Sequence, residues 1–435
     1  MTLAIQTAIV MVVLLIIMLA MGVSISISVG LSSAVAMLCM LPAQVSFVTS
    51  AQRLFAGANS FSLIAIPFFI LAGNLMNNGG IAERLVNVAK AIAGRMPGAL
   101  AQTNIIANML FGAISGSASA AAAAVGSMIR DGADEQGYDP AVTAATNAAS
   151  SCSGLLIPPS NALITYSLAS GGTSVAALFM AGYIPGIIWA LCCCVVGVLL
   201  AVKLGYKGTP GKFDWKNLGV CTLRALPSLS LIIVVIGGII GGVFSATEGS
   251  AIAVVYALVL AFCYRSINLK SLWKIIVDSA KMSGMVVFLV GVSNILGWVM
   301  AFLQIPDAVA AALLSLTNNK YIILLIMNVI LLVSGTFMDV TPAILIFTPL
   351  FLPICQSFGM STIQFGLILV YNLCIGNITP PVGNALFVGI KVGRTSLSKV
   401  MPYMLMYYVA IIGGLLLVTF IPAVSTALPQ AMGLM

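Results

Sequence analysis

The chain has 435 residues, of which 61% are hydrophobic and 6% charged, with a formal net charge of +8. So little charge excludes a soluble globular domain, and apolar runs of about 20 residues recur, each long enough to span a bilayer. The runs are continuous rather than alternating, which excludes a β-barrel and predicts an all-α polytopic membrane protein.

The predicted elements follow in chain order. The first run, 3–22, lacks the basic region and small-residue cleavage site of a secretory signal, so it is expected to be a retained span. Spans at 24–46 and 59–79 come next. Segment 80–96, "GIAERLVNVAKAIAGRM", places apolar residues on one face and Arg84, Lys90 and Arg95 toward the other, the pattern of an amphipathic helix lying on the interface. The apolar segment 97–130 is too long for one span and short of the roughly 40 residues that two need, so it predicts a re-entrant hairpin. A span at 141–170 is interrupted at "IPPSN", and 176–203 closes the first half. After a polar loop at 205–223 the plan repeats. Spans are expected at 226–246, 249–264 and 283–303, a second hairpin at 321–357, a span at 361–390 interrupted at "ITPPVGN", and a closing span at 401–424. Residues 1–204 and 224–435 thus read as two inverted repeats.

Charge sets the orientation. If both hairpins return to the side they enter from, every Lys and Arg except Arg53 and Lys320 falls on one side. The positive-inside rule makes that side, and the 205–223 linker, cytoplasmic, with both termini outside. The positive charge is thereby explained without nucleic acid. Trp273 and Trp298 read as interfacial anchors.

Several chemistries are disfavoured. The sequence has no histidine, the commonest metal ligand and proton shuttle. Its nine cysteines include the apolar run Cys192–Cys194 and form no CxxC pair, so they read as small packing residues and no transition-metal site is expected. The stretch "GTPGKF" at 208–213 lacks the glycine spacing and hydroxyl of a P-loop, and no other cofactor motif is present. An intramembrane hydrolase would need a nucleophile beside a base, and only Asp339 stands out; the chain is read as no enzyme.

The two Pro-Pro breaks carry the functional reading. A proline removes one helix N–H and frees an upstream carbonyl. Paired broken helices in an inverted repeat place freed carbonyls and helix ends at a binding site near the bilayer midplane. The first hairpin tip offers Ser115, Gly116, Ser117 and Ser119, and the facing break supplies Gly154, Pro158 and Asn161: neutral oxygens suited to Na+. The small residues also suit close helix packing. The second tip offers Gly335, Thr336, Met338, Asp339 and Thr341, facing Asn377 and Thr379. An intramembrane carboxylate such as Asp339 defaults to a functional role, although capping of the second arm is compatible with it. Ser160, Asn161, Asp339, Pro381 and Asn384 are read as the substrate-facing set. Glu248, in "GGVFSATEGSA", reads as a helix cap at an external turn. The hairpins and broken helices are expected to move as one unit, with the remaining spans and the amphipathic arm as scaffold. A passive channel suits two half-broken helices less well than an occluding site does.

The segments "GSASAAAAAVGS", "SGLLIPPSNALITY", "GGVFSATEGSAIAVVYAL", "SGTFMDVTPAILIFTPLFLPI" and "NITPPVGNALFVG" resemble the large membrane (M) subunit of tripartite ATP-independent periplasmic (TRAP) transporters, the DctM-like family. Related divalent-anion/sodium symporters carry Ser-Asn-Thr at the tips; the aligned positions here read Ser115-Gly116-Ser117 and Met338-Asp339-Val340. The resemblance implies an elevator-type secondary transporter of the bacterial inner membrane, coupled to Na+. It also implies two partners: a small four-helix membrane subunit (Q type), here expected as a separate polypeptide, and a soluble periplasmic substrate-binding protein (P type). The implied substrates are organic acids such as C4-dicarboxylates, sialic acid and keto acids. A stand-alone symporter needing no binding protein is the alternative.

Overall fold

The computed structural model describes residues 3–208, 214–317 and 319–435; most of the "GTPGKF" stretch therefore lies outside the described residues. The described residues are helical, with no strand. Seven of the helices are long and apolar enough to cross a membrane.

Helices pack in two groups. In the first, Ala246–Cys263 runs along Ala65–Asn78, and the 34-residue helix Leu269–Phe302 packs against Ile25–Met40, Ala43–Ala58 and Ala65–Asn78. The second group contains Ala99–Ser115 and Ala118–Glu135, joined at Gly116–Ser117. It also contains Pro140–Ser151 with its continuation Asn161–Ala169, Lys320–Gly335, Val340–Ser357, Thr362–Gly376 and Asn384–Gly393. Helices Val175–Leu204 and Leu397–Phe420 belong with this second group, packing on each other and on Thr362–Gly376. The sequence reading sets both with the scaffold; they pack on the helices of the hairpins and breaks. Their buried aromatics explain it: the Trp189 Nε1–H donates to the Ala149 carbonyl (2.8 Å), and the Tyr407 hydroxyl bonds Thr146 Oγ1 (2.8 Å). Both anchor to the Pro140–Ser151 helix, and both are fully enclosed.

Several boundaries differ from the sequence reading. The span expected at 24–46 ends at Met40, because Pro42 starts a separate helix, Ala43–Ala58. The span expected at 283–303 begins instead at Leu269, where Asn268 and Ser271 form a reciprocal cap. A further helix, Ile305–Leu316, follows it with proline in its first turn. The amphipathic segment is helical over Ile81–Ala93. The arm Val340–Ser357 is itself of spanning length although it lies in the segment read as re-entrant. Glu248 does cap its helix: Ser245 Oγ accepts from the Glu248 N–H (3.3 Å) and the Glu248 carboxylate accepts from the Ser245 N–H (2.7 Å). The Ser245 N–H and the Ser245 hydroxyl, both donating to it, hold the Glu248 carboxyl below its ordinary value.

Candidate functional site

The first helix pair turns at a glycine because the chain demands it twice. Gly116 sits at φ +62°, a left-handed conformation that costs an L-residue, and its N–H closes on the Gly112 carbonyl (2.8 Å). A side chain there would also press on Asn161, whose Nδ2 lies 3.0 Å from the position of an added Cβ. Ser117 restarts the chain as an N-cap, its Oγ accepting from the Ala120 N–H (3.3 Å). Ser115 is buried, and its carbonyl lies against Gly73 of the Ala65–Asn78 helix, so the tip is seated on the first helix group.

The facing break begins after Leu156. Pro158 and Pro159 cannot donate, and the peptide between them is cis. Ser160 bridges the gap, its hydroxyl donating to the Leu155 carbonyl and accepting from the Leu163 N–H (3.4 Å). Asn161 then opens the second half-helix. Its Oδ1 is buried with no hydrogen-bond partner.

The second half of the chain builds a similar junction. Thr336 ends its helix with Oγ1 on the Val333 carbonyl (2.8 Å), and Asp339 starts the next, Oδ1 accepting from the Val340 N–H (2.9 Å). The break at Pro380–Pro381, also cis, is tied to this turn by the Val382 N–H donating to the Thr336 carbonyl (3.2 Å). Thr379 Oγ1 donates to the Ile375 carbonyl (2.6 Å), leaving its lone pairs free to accept. Asn377 is buried, and its Oδ1 is again without a partner. The Asn377 amide lies 4.0 Å from the Cys152 sulfur, so the second break lies against the end of the Pro140–Ser151 helix, shortly before the first break.

Backbone crossings hold each tip against its break. A methyl on Gly112 would stand 2.8 Å from the Gly154 Cα, and one on Gly335 would stand 3.3 Å from the Gly376 Cα. Gly154 and Gly376 lie about one helical turn before their prolines; Gly112 lies one turn before its tip, whereas Gly335 is the last residue of its helix, at the tip itself. Gly154, read from sequence as a ligand, is thus first a close-packing residue.

The two junctions differ in exposure. Ser115, Gly116, Pro158 and Ser160 are buried, with Ser117, Ser119 and Asn161 half-buried. Asp339, Pro381 and Asn384 are exposed, and Thr336, Met338, Thr341 and Thr379 are half-buried. Asp339, expected within the membrane, is therefore not enclosed by protein, and its one hydrogen bond, from the Val340 N–H to Oδ1, leaves the second oxygen open. No hydrogen bond joins Ser117 or Ser119 to the Pro158 break among the described residues.

Sequence reasoning missed a polar ladder behind each junction. Asn108 Nδ2 has three acceptors within reach of its two hydrogens, Asn104 Oδ1 (2.8 Å), Asn147 Oδ1 (3.0 Å) and Ser150 Oγ (2.8 Å), and Asn372 Nδ2 donates to Asn328 Oδ1 (2.9 Å). Neutral amides inside apolar helices were the available signal. Between the two helix groups lies a cleft of about 340 Å³, walled by Gly57, Asn294, Ala169 and Pro349. Ser293 on that wall has a buried, unpartnered hydroxyl.

Residues 12–424 match the model of the tripartite ATP-independent periplasmic transporter family, DctM component. The chain belongs to this family. It is 50% identical over 399 residues, 92% of each chain, to an uncharacterised protein of Salmonella typhimurium, YgiK. It is 37% identical to the C4-dicarboxylate TRAP transporter large permease protein DctM of Pseudomonas aeruginosa, covering 93% of this chain and 94% of that one. It is 33% identical to the sialic acid TRAP transporter large permease protein SiaM of Vibrio cholerae, covering 88% and 89%. In fold it is similar to the crystal structure of the Alcanivorax borkumensis YdaH transporter, with a TM-score of 0.60, 16% identity, and coverage of 86% and 87%. As a DctM component it is a transport protein rather than an enzyme, a large permease of the bacterial inner membrane.

Proposed function

We propose that this chain carries an organic acid, delivered by a soluble periplasmic binding protein, across the inner membrane by Na+-coupled alternating access. The binding-protein dependence and the acid class are supported by relatives named for C4-dicarboxylate and for sialic acid. Those two substrates differ in size and share a carboxylate, so the likeness supports the organic-acid class.

The observation that carries the Na+ reading is the pair of buried, unpartnered amide oxygens, Asn161 Oδ1 and Asn377 Oδ1, one at each break. A buried acceptor without a donor costs about 1–3 kcal/mol, which a cation would recover. Na+ binds neutral oxygens, and the hydroxyls of Ser115, Ser117 and Ser119 at the first tip and of Thr336, Thr341 and Thr379 at the second are of that kind. Asp339 would add charge to the second site, or hydrogen-bond substrate hydroxyls beside Ser160, Pro381 and Asn384. Direct contact with a substrate carboxylate is disfavoured by repulsion.

The matched glycine crossings, Pro-Pro breaks and hairpin order support two inverted repeats, 1–204 and 224–435, joined by a cytoplasmic linker at 205–223. The cleft between the helix groups supports rigid-body movement of the second group against the first, the elevator motion. Both termini are then periplasmic, and a small four-helix subunit is the third component. Reconstitution into proteoliposomes with the small subunit tests this, using labelled C4-dicarboxylate and sialic acid, each with and without its binding protein. Uptake should require both the binding protein and an inward Na+ gradient. Uptake with Na+ but no binding protein would instead favour the stand-alone symporter.

A further inference from the structure

The helix Ile81–Ala93 and the first turns of Trp215–Ile240 leave between them a groove of two adjoining cavities, about 700 and 390 Å³, which share Asn87 and Cys221. Arg84 and Arg224 line the first and Lys90 and Arg95 the second, against one carboxylate in each, Glu83 and Asp214. Among the described residues the only ion pair is Arg130 with Asp134, so none of the four groove cations is neutralised at contact distance. Two of the groove's lining residues carry an enclosed donor without a hydrogen-bond partner: Arg95 (Nη1) and Tyr264 (the hydroxyl). The Arg84 guanidinium lies over the Tyr264 ring, 3.4 Å from its centroid, and donates one bond to the Gly80 carbonyl (3.3 Å), with no carboxylate at contact distance. Enclosed donors without acceptors are unfavourable, and here they stand among uncompensated positive charges. The missing group is an anion rich in acceptors.

The rim tells which anion. Leu223, which lines the groove, is 69% exposed, and Leu226 one turn further along the same helix is 48% exposed. A basic cradle opening onto an apolar helix face fits a charged head group with hydrocarbon attached; a free phosphate would leave that face unused. We propose that the groove holds the phosphate of an anionic phospholipid, with the acyl chains against Leu223 and Leu226. The inference does not depend on the transport reading or on which side of the membrane the groove faces.

The test is binding of phosphatidylglycerol to the purified, delipidated full chain, followed by native mass spectrometry and by thermal stabilisation. Phosphatidylglycerol should bind and stabilise, whereas phosphatidylcholine and inorganic phosphate at equal concentration should not. At roughly fivefold for each basic group near an anionic lipid, Arg84→Gln with Arg95→Gln should weaken binding about 25-fold. Lys270→Gln with Lys274→Gln, exposed and outside the groove, should leave it unchanged, as should Arg95→Lys within about twofold. Circular dichroism of the double variant checks its fold. Equal binding by both double variants, equal stabilisation by inorganic phosphate, or loss of the bound lipid when the small subunit is added would each overturn the proposal.

Discussion

Asn161 and Asn377 are the residues on which the ion reading turns, because each brings an enclosed oxygen with no donor to a helix break. Replacing either with alanine should raise the Na+ concentration for half-maximal uptake several-fold, since one lost oxygen contact is worth on the order of 1 kcal/mol. Ser115→Ala and Ser119→Ala should act in the same direction; unchanged Na+ dependence in all four variants would move the sites elsewhere. Asp339 separates charge from capping. Its carboxylate reaches only the Val340 N–H, so as a cap it does little that asparagine would not. Asp339→Asn should therefore lose transport and be partly rescued by high Na+, while Asp339→Ala should not be rescued. An Asn variant with wild-type uptake and Na+ affinity would reduce Asp339 to a cap. Glu248 has a structural role with a definite pH sign. Its folded carboxyl lies below the ordinary 4.5, so its stabilisation is full above that value and is lost as pH falls through the lowered folded one. Glu248→Gln should flatten the acid limb of thermal stability and leave uptake at pH 7 in place.

At the scale of elements, glycine crossings decide whether tip and break can meet. Gly154→Ala and Gly376→Ala should each destabilise the protein by about 1–3 kcal/mol through overpacking. Gly237→Ala, whose added methyl would meet nothing within 4 Å, should be neutral or stabilising by about 0.5–1 kcal/mol. Thermal unfolding in detergent compares the three, and equal behaviour would deny the crossings their role. Which parts of this were legible follows from what a side chain announces. Pro158, Pro380, Asn161 and Asn377 are conspicuous in apolar runs, and the turn at Gly116 followed from its serines. Gly112 and Gly376 were not legible, because a glycine in a membrane helix looks the same whether it packs on backbone or faces lipid. The start of the long helix at Leu269 was missed for a different reason. Lys274, Asp278 and Lys281 interrupt its hydrophobicity, so hydropathy alone ended the span at 283, whereas the backbone is hydrogen-bonded throughout. Asp339's exposure depends on which helices pack over the turn, which no local pattern encodes.

For the whole molecule the claim is a group of helices carrying two ion sites past a second group, in a membrane whose sidedness the basic residues set. Single cysteines at Lys270 or Arg394, in a background lacking the native nine, should resist an impermeant reagent added outside intact cells, while one at Arg53 should react. Reaction at Lys270 or Arg394 would invert or break the proposed topology. Closing spans that pack with the hairpins, through Trp189 and Tyr407, enlarge the proposed moving body beyond what hydropathy could delimit. Hydropathy locates helices but is blind to which of them share an enclosed aromatic. The most direct measurement of the central claim needs no knowledge of the substrate: thermal unfolding of the purified chain in NaCl against KCl at equal ionic strength. Ligands that bind only the folded state stabilise it, by about 2.7 kcal/mol at 100 times Kd. Na+ should therefore raise the midpoint with K+ inert, Asn161→Ala and Asn377→Ala should each remove part of the rise, and the double variant nearly all of it. A midpoint indifferent to Na+, or a full Na+ response in the double variant, would contradict the account.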